Sequence, residues 1–159
     1  MKTVQACHSK SKPYGFMMLV LLLLFLFRVL AQLIQAIHPI SILPPFEAWQ
    51  SGAMPYSLLA MSQILIMVIC ARIFWRLIVG TVMPSFGKGR VVFALGLLYF
   101  GVMLFRLVMG LTLAQNHSWF SAKLPTIFHL VLATFLILYG HFHYTQYHDL
   151  TIVKNGKLT

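Results

Sequence analysis

The sequence predicts an all-α integral membrane protein, a single domain built as a bundle of four transmembrane helices. Its 159 residues are 60% hydrophobic and only 9% charged, and their mean hydropathy is +0.86. A soluble globular domain carries about 25% charged residues, so this composition excludes an ordinary water-soluble fold. The apolar run at 17–27 shows no alternation of apolar and polar positions, which excludes the strands of a transmembrane β-barrel.

Four apolar stretches are long enough to cross a hydrocarbon core of about 30 Å, which takes roughly 20 helical residues. They are predicted at 14–36, 55–79, 90–113 and 124–144. The first stretch follows a basic tail, as the apolar part of a signal peptide does. Arg28 comes directly after the apolar run, however, and the small residues of a cleavage site are poorly placed. We therefore expect helix 1 to be retained.

Positive charge in the connections predicts the orientation of the helices. Lysines and arginines are concentrated in the two terminal tails and around the connection between helices 2 and 3, whereas the other two connections hold one cation, Lys123, and one acid, Glu47. Cytoplasmic loops carry an excess of Lys and Arg, so both termini are predicted in the cytoplasm, in a plasma membrane or bacterial inner membrane. The net charge of +10 then reflects topology and affinity for anionic lipid, and nucleic acid is not an expected partner.

A short identical segment suggests that the protein contains two repeated helical hairpins. Leu-Phe-Arg occurs at 26–28 and again at 104–106, an offset of 78 residues. Helices 2 and 4 both begin near a proline, Pro55 and Pro125, at an offset of 70 residues. A hairpin used twice in the same orientation produces this pattern, as parallel repeats do in some transporters. Chance agreement within apolar sequence is the alternative.

Each helix is predicted to carry one polar side chain at the same depth. Counting at about 1.5 Å per residue from the outer helix ends puts these side chains roughly 8–12 Å below the outer surface. They are Arg28, Gln63, Arg106 and His129. Gln32 and Gln35 follow Arg28 at i+4 and i+7, so these three residues form a stripe along one face of helix 1.

Two buried arginines require compensation, because a charged side chain at the centre of a membrane helix costs about 2.5–3.5 kcal/mol on insertion scales. Glu47 is the only acid predicted on the outer side. A short helix predicted at 46–50, with an irregular loop as the alternative, places it where it can pair with one arginine through a bidentate ion pair. The second guanidinium then lacks an acid, which predicts an outward-facing, net-positive pocket. In the other interpretation, each arginine extends separately toward the outer phosphates.

The histidines and cysteines argue against a metal, haem or other cofactor. If helix 4 continues past its span, His141 and His143 point about 200° apart, and His141 and His148 are about 10 Å apart, too far for one metal ion. Helices 1 to 3 have no histidine in their membrane portions that could join one from helix 4 on a haem iron. Cys7 and Cys70 form no CxxC pair, so a thiol redox relay lacks its residues.

Two features around helix 3 carry local predictions. The segment 84–90 contains a proline and two glycines and is predicted to form a tight cytoplasmic turn. Gly96, Gly101 and Gly110 are predicted to let another helix approach closely, as small residues do in membrane proteins.

The leading functional expectation is a non-enzymatic protein that binds an anionic amphiphile, such as a lipid or a quinone-like molecule, or a partner subunit. The predicted ligand-binding residues are Arg28, Gln32, Glu47, Gln63, Arg106 and His129. One alternative is a membrane enzyme that acts on a lipid or quinone, with His129 or Glu47 as acid or base. Another is a small transporter whose hairpins move around the same pocket. Expected partners are membrane lipid, a membrane protein and a second copy of this chain.

Overall fold

The computed structural model describes residues 2–49, 55–112 and 122–154. These residues form four long helices and one short 3-10 helix, and none of them lies in a β-strand. The predicted all-helical fold is therefore confirmed. The elements are α1 (Lys2–Ile37), the 3-10 helix (Phe46–Trp49), α2 (Tyr56–Ile78), α3 (Phe86–Leu111) and α4 (Lys123–Lys154).

Each of the four helices contains a segment that is long and apolar enough to cross a membrane. With 23 to 26 residues each, the segments are roughly 35–39 Å long, which exceeds a hydrocarbon core of about 30 Å. The predicted spans agree with these segments to within four residues at each end, and the predicted last residue of span 3, Leu113, lies outside the described residues. The segments are Pro13–Ile37, Tyr56–Ile78, Phe86–Leu111 and Lys123–His148.

Gly80 ends α2 and turns the chain toward α3. Its φ of 73° is in the left-handed region, which glycine adopts without steric penalty. The N–H of Gly80 donates to the carbonyl of Leu77 (3.2 Å), and the N–H of Thr81 donates to that of Arg76 (3.0 Å). These two bonds form a Schellman motif, which satisfies carbonyls at the helix end.

The predicted turn at 84–90 was wrong, because α3 begins at Phe86 and its first turn is closed by a hydrogen bond from the N–H of Gly89 to the carbonyl of Ser85 (2.9 Å). Gly89 serves packing. A Cβ at this position would lie 2.8 Å from the backbone nitrogen of Tyr144 in α4, closer than real side chains approach. Gly89 therefore allows α3 to contact α4, and it does not interrupt α3.

The four helices lie side by side in the order α2, α1, α4, α3. Helix α1 packs against both α2 and α4, and α4 packs most closely against α3. In the most apolar 18 residues of α1 and of α4, the two central helices, 28% is buried. The corresponding share in α2 and α3 is 11%. The flanking helices thus present most of their apolar surface outward. A cluster of buried side chains joins α1, α2 and α4: Met18, Cys70, Leu77, Phe135 and Phe142.

Glycines hold α3 against α4. A Cβ on Gly96 would lie 3.0 Å from the nitrogen of Ile137, and one on Gly140 would lie 2.5 Å from the nitrogen of Phe93. The close approach predicted for Gly96 is therefore confirmed. The same prediction for Gly101 was wrong, since a Cβ there would meet nothing within 4 Å. The reason is orientation: Gly101 is on the exposed face of α3.

The two predicted hairpins pack differently. By the offsets of 78 and 70 residues, Gly96 corresponds to Met18 and Gly140 to Cys70. Met18 and Cys70 fill the core with their side chains, whereas the two glycines bring backbones together. A duplication therefore stays a prediction. If the two hairpins do share an origin, they no longer pack their helices in the same way.

Candidate ligand-binding site

Arg28 is buried where α1 meets the 3-10 helix. We call this end of the bundle, at which α1 ends and α2 begins, the Trp49 end. Its side chain is 5% exposed. Nη1 donates to Oε1 of Gln32 (3.1 Å), one helical turn away, and Nη2 donates to the backbone carbonyl of Trp49 (3.0 Å). The guanidinium carbon lies 5.5 Å from the ring centroid of Phe128 in α4, within the range of a cation–π interaction. All three of these partners are uncharged.

Gln32 connects Arg28 to α2. Its Oε1 accepts a second hydrogen bond from Nε2 of Gln63 (3.1 Å). A guanidinium has only donors, so the Gln32 oxygen must face Arg28 and its amide nitrogen must point elsewhere. That nitrogen is buried in a side chain only 1% exposed, and it has no hydrogen-bond partner among the residues that the structure describes. Such unpaired buried donors are rare and costly, by about 1–3 kcal/mol each.

The 3-10 helix covers Arg28 and is anchored by Trp49. The Trp49 side chain is 3% exposed, its ring stacks on Phe128 with centroids 6.4 Å apart, and its Nε1 donates to the carbonyl of Pro44 (2.9 Å). The short helix predicted at 46–50 is thus present as a 3-10 helix over 46–49, and Gln50 lies outside the described residues. The sequence offered no signal for the Trp49 carbonyl, because a backbone group is common to every residue.

Glu47 does not take the predicted position beside an arginine. Its side chain is exposed on the 3-10 helix. The carbonyl of Trp49, two residues later, lies beside Arg28 instead. Within the described ranges, no ion pair joins Glu47 to Arg28.

Arg106 and His129 bring α3 and α4 into the same polar layer. Arg106 is 4% exposed on α3, and His129 comes directly after Phe128, the ring that Arg28 contacts. A hydrogen bond of 2.6 Å joins Nδ1 of His129 to the hydroxyl of Tyr99 in α3. Tyr99 was missed in the sequence, although its position seven residues before Arg106 puts both residues on one face of α3.

The predicted stripe on α1 divides into two parts. Arg28 and Gln32 belong to the cluster, whereas Oε1 of Gln35 accepts a hydrogen bond from the backbone N–H of Ile40 (3.0 Å). Gln35 therefore stabilises the chain as it leaves the helix. Hydrogen bonds thus join three of the six predicted site residues: Arg28, Gln32 and Gln63.

Two histidines near the opposite end of α4 have structural partners. Nδ1 of His141 shares a hydrogen bond with the hydroxyl of Tyr14 (3.0 Å), which ties α4 to α1. Nδ1 of His143 accepts from the N–H of Ser85 (3.2 Å) at the start of α3, and its buried Nε2 has no partner in residues 2–49, 55–112 and 122–154. In the part of the chain that the structure describes, no group of three or more His, Cys, Asp or Glu residues could hold a metal ion.

An apolar groove lies between α1, α2 and α4, next to the polar cluster. Its cavity volume is about 10 Å³, close to the space that one water molecule needs. Phe25 of the groove is three positions before Arg28, so on α1 the two features lie about one helical turn apart. The groove residues include Leu22, Phe25, Cys70, Val131, Leu132 and Phe135.

No family model, no curated protein and no solved structure matches this chain. The class that the fold and the cluster define is a four-helix protein, each helix long and apolar enough to span a membrane, with two buried arginines at one end.

Proposed function

We propose that this protein binds an anionic amphiphile at the Trp49 end, without catalysing a reaction. It resides in a plasma membrane or bacterial inner membrane, with the Trp49 end outside and both termini in the cytoplasm. The ligand presents an oxygen that carries full or partial negative charge, as a lipid phosphate, a carboxylate or a polarised quinone does. The binding residues are Arg28, Gln32, Gln63, Arg106 and His129.

One observation carries this proposal: a buried cation lies beside a buried donor that has no acceptor. Arg28 donates to an amide oxygen and a backbone carbonyl, neither of which carries charge. Within the described part of the chain, the Nε2 of Gln32 has no acceptor. Burying an unpaired charge or an unpaired donor is unfavourable, and a single bound anion compensates both.

The count of acids supports the same proposal. The chain has 12 lysines and arginines but only two acids, Glu47 and Asp149. Asp149 follows His129 by 20 residues in α4, which is about 30 Å along a helix, so it is far from the polar cluster. Glu47 can offset at most one of the two guanidinium charges at the Trp49 end. The site is therefore short of negative charge within the chain itself.

Substituting Arg28 by methionine tests the proposal, because methionine keeps the length and helix propensity of the side chain but removes its charge. We expect the affinity for dioctanoyl phosphatidylglycerol to fall roughly 10- to 100-fold, as the loss of hydrogen bonds to a charged group implies. The affinity is measured in a neutral detergent by titration, with intrinsic tryptophan fluorescence as the signal. Dioctanoyl phosphatidylcholine serves as the zwitterionic comparison.

Arg72→Met is the matched control, since Arg72 is an exposed arginine farther along α2. It should leave the affinity for the anionic lipid unchanged if binding occurs at the Trp49 end. Equal losses in the two variants would mean that the lipid responds only to overall charge, and the proposed site would be abandoned.

A second candidate function is favoured by the pair of Tyr99 and His129. A hydrogen bond of 2.6 Å orients the imidazole of His129, which comes directly after the Phe128 ring that Arg28 contacts, an arrangement that suits an acid or base beside developing negative charge. If the protein is an enzyme, the purified wild type turns over a phospholipid or a quinone, and His129→Gln abolishes turnover even at a saturating concentration of the ligand. Binding without turnover in the wild type would leave the first function standing.

A further inference from the structure

We infer that the contact between His143 of α4 and the start of α3 responds to pH, because protonation of the imidazole releases the first turn of α3 from α4. His143 follows His129 by 14 residues in α4, about 21 Å along the helix, so this contact is far from the Trp49 end. The inference does not depend on the proposed function.

A hydrogen bond defines the charge state of His143 in the structure. Its Nδ1 accepts from the backbone N–H of Ser85 (3.2 Å). A ring nitrogen that accepts carries no proton, so the imidazole is neutral and its Nε2 carries the hydrogen. A protonated imidazole has two N–H donors and no acceptor. Proton uptake at Nδ1 therefore replaces the hydrogen bond by two N–H groups that point at each other.

Burial prevents solvent from compensating for this loss. The side chain of His143 is 2% exposed, and its Nε2 has no hydrogen-bond partner among the described residues. The rings of Tyr139 and Phe142 pack edge-on against the imidazole, with centroids 4.6 Å and 5.8 Å away. A protonated ring would thus be a buried charge with both of its N–H groups unpaired, which is unfavourable. The native contact requires the neutral form.

The charged groups on the neighbouring elements also oppose a proton at this position. Helix α3 carries Lys88 and Arg90 near its start, and α2 carries Arg76 in its last turn. The connection 79–85 contains no titratable residue, and the neighbouring phenol of Tyr139 is uncharged at neutral pH. Among the described side chains, no acid lies at this end of the bundle to stabilise an imidazolium.

The first turn of α3 lies directly on His143. A Cβ added to Gly89 would be 2.9 Å from Cβ of His143, so the backbone of α3 contacts this residue. The N–H of Gly89 closes the turn by donating to the carbonyl of Ser85, whose own N–H is the donor to His143. Loss of the hydrogen bond to the imidazole therefore loosens the turn that begins α3.

His141 provides a comparison on the same helix. Its Nδ1 shares a hydrogen bond with the hydroxyl of Tyr14 (3.0 Å), and the side chain is exposed. A hydroxyl can donate or accept, so this bond survives protonation of the ring, whereas a backbone N–H can only donate. The pH response is therefore specific to His143.

Hydrogen–deuterium exchange of the full-length protein in a mild neutral detergent tests the inference. Histidine usually titrates between about pH 5 and 8, so exchange is compared at about pH 8 and about pH 4.5 and corrected for its intrinsic pH dependence. The amides of residues 85–89 should exchange roughly tenfold faster in acid, as the loss of one buried hydrogen bond implies. Equal protection at the two pH values would overturn the inference.

His143→Asn separates the charge from the hydrogen bond. The asparagine oxygen lies near the position of Nδ1 and can accept from Ser85, but it takes up no proton in this range. The variant should lose the acid response of residues 85–89. His141→Asn is the matched control and should keep it. An acid response that persists in His143→Asn, or that disappears in His141→Asn, would assign the effect to another group.

A measurement on the wild type keeps the inference testable if His143→Asn does not fold. Nitrogen-15 spectra of the histidine side chains distinguish a protonated from an unprotonated ring nitrogen. At about pH 8, where an ordinary histidine is neutral, His143 should carry its hydrogen on Nε2 and not on Nδ1. A hydrogen on Nδ1 would mean that the ring does not accept from Ser85, and the inference would be withdrawn.

Discussion

Replacing Gly140 by leucine is expected to lower the melting temperature of the protein in mild detergent sharply. A Cβ at position 140 would lie 2.5 Å from the backbone nitrogen of Phe93 and 2.7 Å from its Cα. Backbone atoms cannot rotate away, so α3 and α4 must separate. Overpacking a well-packed interior costs about 1–3 kcal/mol and occasionally more. Thermal unfolding followed by circular dichroism measures the change, and Gly140→Ala should give a smaller effect in the same direction.

Gly101→Leu is the matched control for this prediction. Gly101 is also a helical glycine, but a Cβ there would meet nothing within 4 Å. Its melting temperature should equal or slightly exceed that of the wild type, because leucine favours the helix more than glycine does. If the Gly140 and Gly101 variants melt alike, the backbones of α3 and α4 are not in contact and the described packing is incorrect.

The same substitution connects packing to function. Tyr99 and Arg106 reach the polar layer only because α3 lies against α4. A displaced α3 should carry Tyr99 away from His129 and weaken lipid binding at the Trp49 end. Gly140→Leu is therefore expected to lower both stability and affinity, whereas Arg28→Met lowers affinity with little loss of stability.

Trp49→Ala is also expected to lower the stability of the protein strongly. The side chain is 3% exposed, stacks on Phe128 and donates to the carbonyl of Pro44. Truncating a buried tryptophan to alanine typically costs about 3–5 kcal/mol, because apolar contacts are lost and a cavity remains. Besides a lower melting temperature, we expect faster hydrogen–deuterium exchange in residues 44–49, since the ring no longer holds the 3-10 helix on α4.

Trp75→Ala provides the comparison, because Trp75 is 67% exposed on α2. This change should leave the melting temperature and the exchange of residues 44–49 nearly unchanged. If both variants lower the melting temperature equally, loss of any tryptophan destabilises the protein. The effect would then not come from the 3-10 helix that Trp49 anchors over Arg28.

Depth along each helix could be read from the sequence, and this is why the polar layer was predicted. Hydropathy marks where a span begins and ends, and a fixed rise per residue then gives the axial position of every side chain. Arg28, Gln63 and His129 were placed in one layer by this count alone. The spacing of Gln32, one turn after Arg28, predicted a shared helix face, and in the structure the two side chains are hydrogen-bonded.

The contacts between neighbouring helices and loops could not be predicted from the sequence in the same way. Glu47 was expected to pair with an arginine because it is the nearest acid in the sequence, yet the Trp49 carbonyl lies beside Arg28. Gly96 and Gly101 looked alike in the sequence, although only Gly96 faces another helix. In a membrane protein, both lipid-facing and protein-facing positions are apolar, so hydropathy does not reveal how a helix is rotated.

The amino acids alone therefore establish a chain with four apolar helices, an excess of cations over acids and polar side chains at matching depths. These properties are local or additive: they depend on segment composition, on residue counts and on helical rise. The order α2, α1, α4, α3, the glycine contact between α3 and α4 and the unpaired amide of Gln32 beside Arg28 appear only once the helices pack. Each of them depends on the rotation and distance of two helices, which no single segment of the chain encodes.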